Sequence, residues 1–444
     1  MRKDAAHEEG PLFSARQRAT LLFLAIGTAI GGTGLAAGGT AGALLGADLA
    51  GSDAAAGFPL GLLVVGSATA APLISYATPR IGRALSLTLG YLAGAAGAAV
   101  VISAAVVDSL ALLLAGSILV GAANSAIFLT RYAAADAVGP HARGRALGFV
   151  FFATALGAVA SPLLLGPSGD LAEALGLPRL SGLYGVALVA FGLAALLLAA
   201  GAYVRVIRLG QGVEGVAPAE QVRVTRHDLA VGLRATRPRT ALLVLGTTNL
   251  IMVAVMAIAP VHLTEHGHKL AFVGAVISVH VAGMFAPSPL TGWLADRVGT
   301  FTVAGIGFGL LAAAGLACAL MQEDSALQAS GMLVLLGFGW NFGVVGGSTL
   351  LSASTTPRLR PHAEGIGEVV MGIAAGIGAP VAGILVAGSG FSSISLAAAA
   401  VAIGMLIYLR RAPQGPTAAV PKPEARRQRP SIGIGSARRR VGAR

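Results

Sequence analysis

Cysteine is nearly missing from this 444-residue sequence: Cys318 stands alone. An internal disulfide and any cysteine-cluster metal site are thereby excluded. Charge is also scarce, at 11% of residues, where soluble domains carry roughly a quarter. Aromatic residues make up only 5%. What fills the space is apolar: 55% of the chain is hydrophobic and 63 residues are glycine. No soluble fold hides that much apolar surface, whereas small residues suit helices that approach closely in lipid. The loops hold no nucleophile beside a base, no phosphate-binding loop and no zinc-type spacing, so neither an enzyme nor a prosthetic group is expected.

Runs of about 20 apolar residues, the length needed to span a bilayer, fall at 19–44, 57–78, 85–107, 109–131, 145–166, 183–204, 241–263, 271–294, 301–321, 330–352, 365–387 and 390–409. The stretch before the first run is polar through Arg18 and no cleavage site follows, which predicts a retained first helix. Placing the N-terminus inside puts every lysine and arginine except Arg179 and Lys269 on one side. Both termini are then expected in the cytoplasm of a bacterium, with the chain in its inner membrane. The net charge of +12 thus reports topology and contact with anionic lipid rather than nucleic acid. The chain divides into a cytoplasmic segment 1–18, a six-helix bundle 19–205, a polar linker 206–240, a second bundle 241–409 and a basic, disordered tail 410–444; a monomer is expected.

The two bundles are related. Pro79-Arg80-Ile81-Gly82-Arg83 matches Asp296-Arg297-Val298-Gly299-Thr300 at an offset of 217, and Asn124 and Asn341 share it. Pro140-His141-Ala142 matches Pro361-His362-Ala363 at 221, as do Gly157 and Gly378. Related halves place a solute site at their interface and expose it alternately. The run Gly292-Trp293-Leu294-Ala295-Asp296-Arg297-Val298-Gly299 resembles the signature of the major facilitator superfamily. That resemblance implies an all-α membrane protein with 12 transmembrane helices in two pseudo-symmetric six-helix bundles, working by alternating access. Gly292, Asp296, Arg297 and Gly299 are the expected gating motif, because a carboxylate at a neighbouring helix N-terminus can hold the halves together. Pro79 replaces the acid in the first half, so the latch is expected to be lopsided.

Ionisable residues within spans are functional candidates because burying them is costly. The sequence offers Glu368, Asp136 and His280. Ser117 stands where drug and proton antiporters of the superfamily carry an arginine, and Gly157, Ser161, Pro162 and Gly166 are a loose likeness to their glycine-proline motif. Two further pairs are spaced four apart, each on one helical face: Met252 with Met256, and His280 with Met284. Counted from the outer ends at about 1.5 Å per residue, Met252 lies about 16 Å deep, His280 about 14 Å and Met284 about 20 Å. Thioether and imidazole are polarizable donors suited to Cu(I), and neutral ligands avoid the deep well of thiolates. Methionine in an apolar helix is also ordinary packing.

The pairing of Met252-x-x-x-Met256 with His280-x-x-x-Met284 resembles the CcoA-like bacterial copper importers, in which those motifs are the metal-binding residues. The resemblance implies copper as the transported substrate. Relatives on the same plan move organic nutrients such as riboflavin, and that reading stays open, as does proton-coupled drug export. At the outer mouth His262, Glu265, His266 and His268 are candidates for collecting metal, against a plain reading as solvated loop residues. Thr28, Asn124, Asn249, Trp340 and Asn341 are polar within the spans, and either line the cavity or join helices.

Overall fold

The computed structural model of the protein describes residues 13–35, 37–51, 57–209, 224–265, 270–319, 326–389 and 391–412. Regular structure among them is helical throughout. The α-helices are α1 (Ala15–Gly32), α2 (Gly42–Ala50), α3 (Gly57–Ile81), α4 (Arg83–Val106), α5 (Leu110–Asp136), α6 (Arg143–Leu163), α7 (Leu165–Ala174), α8 (Gly182–Leu209), α9 (Arg226–Arg234), α10 (Thr236–Glu265), α11 (Leu270–Phe285), α12 (Ser288–Val298), α13 (Thr300–Ala319), α14 (Ala326–Ser354), α15 (Arg360–Ser389) and α16 (Phe391–Arg411). Nine of these are long and apolar enough among the described residues to cross a bilayer. Three more spans complete twelve: α1 with α2, α11 with α12, and α15, which carries Arg360, Glu364 and Glu368 near one end.

Two spans expected to be continuous are broken. The first loses its α-helix after the glycine-rich Gly31-Gly32-Thr33-Gly34, a run of poor helix formers, and resumes through a π-helical turn at Ala37–Ala41. There the Ser161 hydroxyl donates to the freed Thr33 carbonyl. The eighth breaks between α11 and α12 at Pro287, which brings no N–H to the ladder. Asn341 on α14 repairs that break. Its Nδ2 donates to the Met284 carbonyl at 2.7 Å and to Ser288 Oγ at 2.6 Å, while its Oδ1 accepts from Thr291 Oγ1 at 2.7 Å. In an apolar bundle such freed groups need a protein partner, since no water competes for them. Within the polar stretch between the halves α8 continues to Leu209, and α9 forms with Thr225 as its N-cap. Asp228 and Thr225 bond reciprocally at 3.0 Å, and those bonds hold the Asp228 carboxyl below its ordinary range. The tail beyond residue 412 lies outside the described residues.

Close approach explains much of the glycine. A Cβ on Gly66 would sit 2.0 Å from the Ile118 carbonyl oxygen, and one on Gly121 would sit 2.2 Å from that of Leu63. Backbones of α3 and α5 are therefore nearly in contact, the lipid-phase substitute for water exclusion. Gly82 and Gly299 have a different reason. They are repeat-related and cap α4 and α13 at φ +84° and +90° with ψ near 154°, a region in which a side chain is strained. The glycine shared by the two halves' motifs is thus required by the turn itself.

Candidate functional site: the seam between the halves

Ion pairs join the halves at the end of the bundle that carries the arginines. Asp296, at the close of α12, sits on the first turn of α6: Gly144 N–H donates to its Oδ1 at 2.8 Å and Arg145 N–H to its Oδ2 at 2.9 Å. The Arg145 guanidinium lies 3.9 Å away. An anion on a helix N-terminus gains both the free N–H groups and the dipole. Gly144 and Gly292 permit it, each lying where a Cβ would be within 2.4 Å of the other's carbonyl oxygen. Arg297 instead turns outward over the Trp293 ring, 5.1 Å from its centre. Gly299 serves the turn, its carbonyl accepting from the Val303 N–H at 3.2 Å.

Two further ionic clusters close the same end. Arg83 of α4 reaches both Asp136 and Glu364 at 2.7 Å, and Arg360 of α15 reaches the other oxygen of Asp136 at 2.9 Å. Deeper in, Arg131 of α5, 1% exposed, donates to Glu368 of α15 at 2.6 Å and to Ser348 of α14 at 3.1 Å. Arg131 and Glu364 are what reasoning from sequence missed. Arg131 closes the fourth apolar run and so reads as a cation at the membrane surface, although α5 runs on to Asp136 and carries it inside. Glu364 lies one turn before Glu368 on the same face, a spacing that would have revealed it.

Directly above Arg131 the seam turns aromatic. The Phe151 ring of α6 lies 5.4 Å from the guanidinium carbon. It stacks on Trp340 of α14 at 5.9 Å, and Phe285 of α11 completes the trio at 5.0 and 5.6 Å. Trp340 Nε1 donates to Asn249 Oδ1, whose Nδ2 donates to the Met371 carbonyl. Trp340 and Asn249 are therefore engaged in a floor across the seam rather than open to a solute. Asn124 bonds Ser67 and Asn341 repairs α12, so both join helices. Thr28 and Ser117 spend their hydroxyls on their own helices.

The four soft side chains lie on the side of this floor away from the arginines. Their helices α10 and α11 both pack on α14, which lies between them. His280 is 1% exposed, and its Nδ1 meets the Leu333 carbonyl at 2.7 Å. That carbonyl can only accept, so Nδ1 carries the proton and Nε2 presents a lone pair. Nε2 is buried and has no hydrogen-bond partner among the described residues. Met252, Met256 and Met284 are half-buried against the same apolar core. Among the described residues no three His, Cys, Asp or Glu side chains cluster to hold a metal. Of the outer-mouth group, His262 and Glu265 fall on the last turn of α10, and His266 and His268 lie outside the described residues.

The Major Facilitator Superfamily profile matches residues 22–346. The chain belongs to that superfamily. It is 36% identical over 86% of its length to the Bacillus subtilis uncharacterized MFS-type transporter YddS, covering 88% of that protein. It is 26% identical to the riboflavin transporter RfnT of Brucella anthropi, over 90% of this chain and 98% of that one. Among solved structures the human organic anion transporter MFSD10 superposes with a TM-score of 0.71 at 16% identity, over 89% of this chain and all of that one. The FucP transporter in its outward conformation superposes at 0.67 with 17% identity, over 89% and 98%. These two show the shared fold. The protein is a multi-pass membrane transporter of small solutes and not an enzyme.

Proposed function

We propose that this superfamily member imports Cu(I), with the arginine-rich end facing the cytoplasm as the placement of its cations indicates. The observation that carries the reading is His280: a buried imidazole whose Nδ1–H is spent on a backbone carbonyl, leaving Nε2 without a partner among the described residues. Metal-ligating histidines are held in this way, with the second nitrogen fixing tautomer and ring orientation. A buried acceptor without a partner is costly, and a soft cation shared with Met252, Met256 or Met284 relieves that cost. The aromatic floor lies between this position and the ionic clusters, so metal held there reaches the other side only when the halves part. A second reading, uptake of a planar organic nutrient, is supported by the likeness to RfnT. Stacking on Trp340 would then require that ring to leave Phe151.

The test is Cu(I) uptake into liposomes holding the purified protein, with riboflavin as competitor. His280→Ala should lower copper binding and uptake at least about tenfold, the lower end of what loss of even an outer-shell partner costs a metal site. Equal uptake by the two proteins removes the copper reading. Riboflavin uptake that is unaffected by copper establishes the second.

A further inference from the structure

The ionic clusters that join the halves differ in what happens to each charge when the halves separate. In the first cluster every charge has somewhere to go. Arg83 and Asp136 belong to one half and already bond each other at 2.7 Å. Arg360 and Glu364 belong to the other and are four apart on α15, the spacing of a helical ion pair. Arg360 also donates to the Ser352 and Thr355 carbonyls of its own half. Parting therefore exchanges partners and leaves two neutral pairs.

The deeper pair behaves otherwise. Arg131 is housed by its own half. It donates to the Phe128 carbonyl at 2.8 Å and lies over the rings of Tyr132, Phe151 and Phe128 at 4.6, 5.4 and 5.6 Å. Aromatic faces hold a desolvated cation well. Glu368 has nothing equivalent. Arg131 is its one bond partner among the described residues. Among the described residues the charged or titratable groups facing it are Arg131 and Tyr132 from α5, with Glu364 a turn away on its own helix. Around that turn α10 presents Leu245, α14 presents Leu351 and the Ser348 hydroxyl, and α3 presents Ser75. Tyr408 of α16 is engaged with Thr240.

We propose that Glu368 binds a proton as the halves part at this end, so that opening is linked to proton uptake. The carboxylate loses Arg131, takes one proton from water entering the seam and becomes a neutral acid. Arg131 keeps its charge within its aromatic cage. When the halves close again the acid returns that proton to water and re-forms the ion pair. Removing one partner of a buried ion pair without such neutralisation is strongly unfavourable. The sign follows: the open form holds one more proton, so acid favours opening, by up to about tenfold in the open-to-closed ratio per pH unit. This inference rests on the halves separating and not on the identity of the solute.

The experiment reads separation directly, without any transported solute. Spin labels are placed at Leu85→Cys on α4 and Val231→Cys on α9, both exposed, in a Cys318→Ser background. The distance distribution is then followed in lipid nanodiscs from about pH 5 to about pH 8, bracketing ordinary and raised carboxylate values. The wild-type background should shift toward the longer distance as pH falls. Glu368→Gln should favour the longer distance at every pH, Glu368→Asp should restore the dependence, and Glu364→Gln should retain it. A wild-type distribution that does not move with pH overturns the proposal, as does a Glu368→Gln variant that titrates like wild type. Failure of copper uptake would leave this result untouched.

Discussion

Gly144→Val should leave the protein inserted and abolish closure at the arginine-rich end. A Cβ at Gly144 would sit 2.4 Å from the Gly292 carbonyl oxygen and 2.8 Å from Asp296 Oδ1. Neither obstacle is the far end of a flexible side chain with room to swing, so α6 and α12 must move apart. Overpacking of this kind costs about 1–3 kcal/mol. Moving apart also breaks the two N–H bonds to the Asp296 carboxylate, each worth about 1.5–3 kcal/mol as a bond to a charged group. The sum is about 4–9 kcal/mol against the closed form, or at least about a hundredfold in its population. Spin labels at positions 85 and 231 should report a permanently separated end, and Cu(I) uptake should fall with it. Gly144→Ala should do the same in smaller measure, and a valine variant with the closed distance would show that Asp296 does not latch the halves. The Pro79 side of the repeat offers a control. With no acid there, Pro79→Ala removes no latch, and closure should persist.

Asn341→Ala should be the most destabilising single polar substitution in the second half. Its side chain satisfies the Met284 carbonyl, bonds Ser288 Oγ and accepts from Thr291 Oγ1, all within the break that Pro287 imposes. Alanine takes that donor from the Met284 carbonyl and leaves the Ser288 and Thr291 hydroxyls with only their local bonds to the Phe285 and Pro287 carbonyls. Interhelical hydrogen bonds in membranes average about 0.6 kcal/mol and reach about 1.7 kcal/mol, so three of them give about 2–5 kcal/mol. The readout is thermal unfolding of purified protein in detergent. Asn341→Asp, which keeps the acceptor and loses the donors, should fall between alanine and wild type. Unfolding of Asn341→Ala at the wild-type temperature would mean that water or a neighbouring hydroxyl repairs the break instead.

Sequence reasoning reached the membrane class, the twelve spans and the relation between the halves because lipid imposes a crude rule: about 20 apolar residues per crossing, with cations kept to one side. It did not reach the breaks. Hydropathy is blind to Gly31-Gly32-Thr33-Gly34 and counts Pro287 as simply another apolar residue, whereas what decides the helix there is a missing N–H and the supply of partners from α14. The ionic seam was hidden for a related reason. Arg131 looks like a loop cation because apolar counting ends the fourth span just where the guanidinium enters the protein, against Phe128 and Tyr132 of its own helix and the Phe151 ring of α6. Asp296 was legible, since its motif names the residue and the helix N-terminus supplies the chemistry. Spacing places the soft residues on common faces, whereas the turn of the imidazole toward α14, with Nδ1 on the Leu333 carbonyl, is set by packing between helices that spacing does not encode. Trp340, which by sequence either lines the cavity or joins helices, is committed to Asn249 and Phe151 by contacts that no periodicity encodes.

Arg131 and Ser348 stand 217 positions apart, the same interval that relates the two copies of the repeat, and yet they touch. Residues that correspond and also meet must lie on the rotation axis that carries one half onto the other. At such a point the same side chain in both copies would confront itself, and two guanidinium groups would repel while two hydroxyls would leave Glu368 unanswered. A cation can occupy the axis only if the copies differ there. This buried guanidinium therefore marks the place where the two halves had to stop being alike.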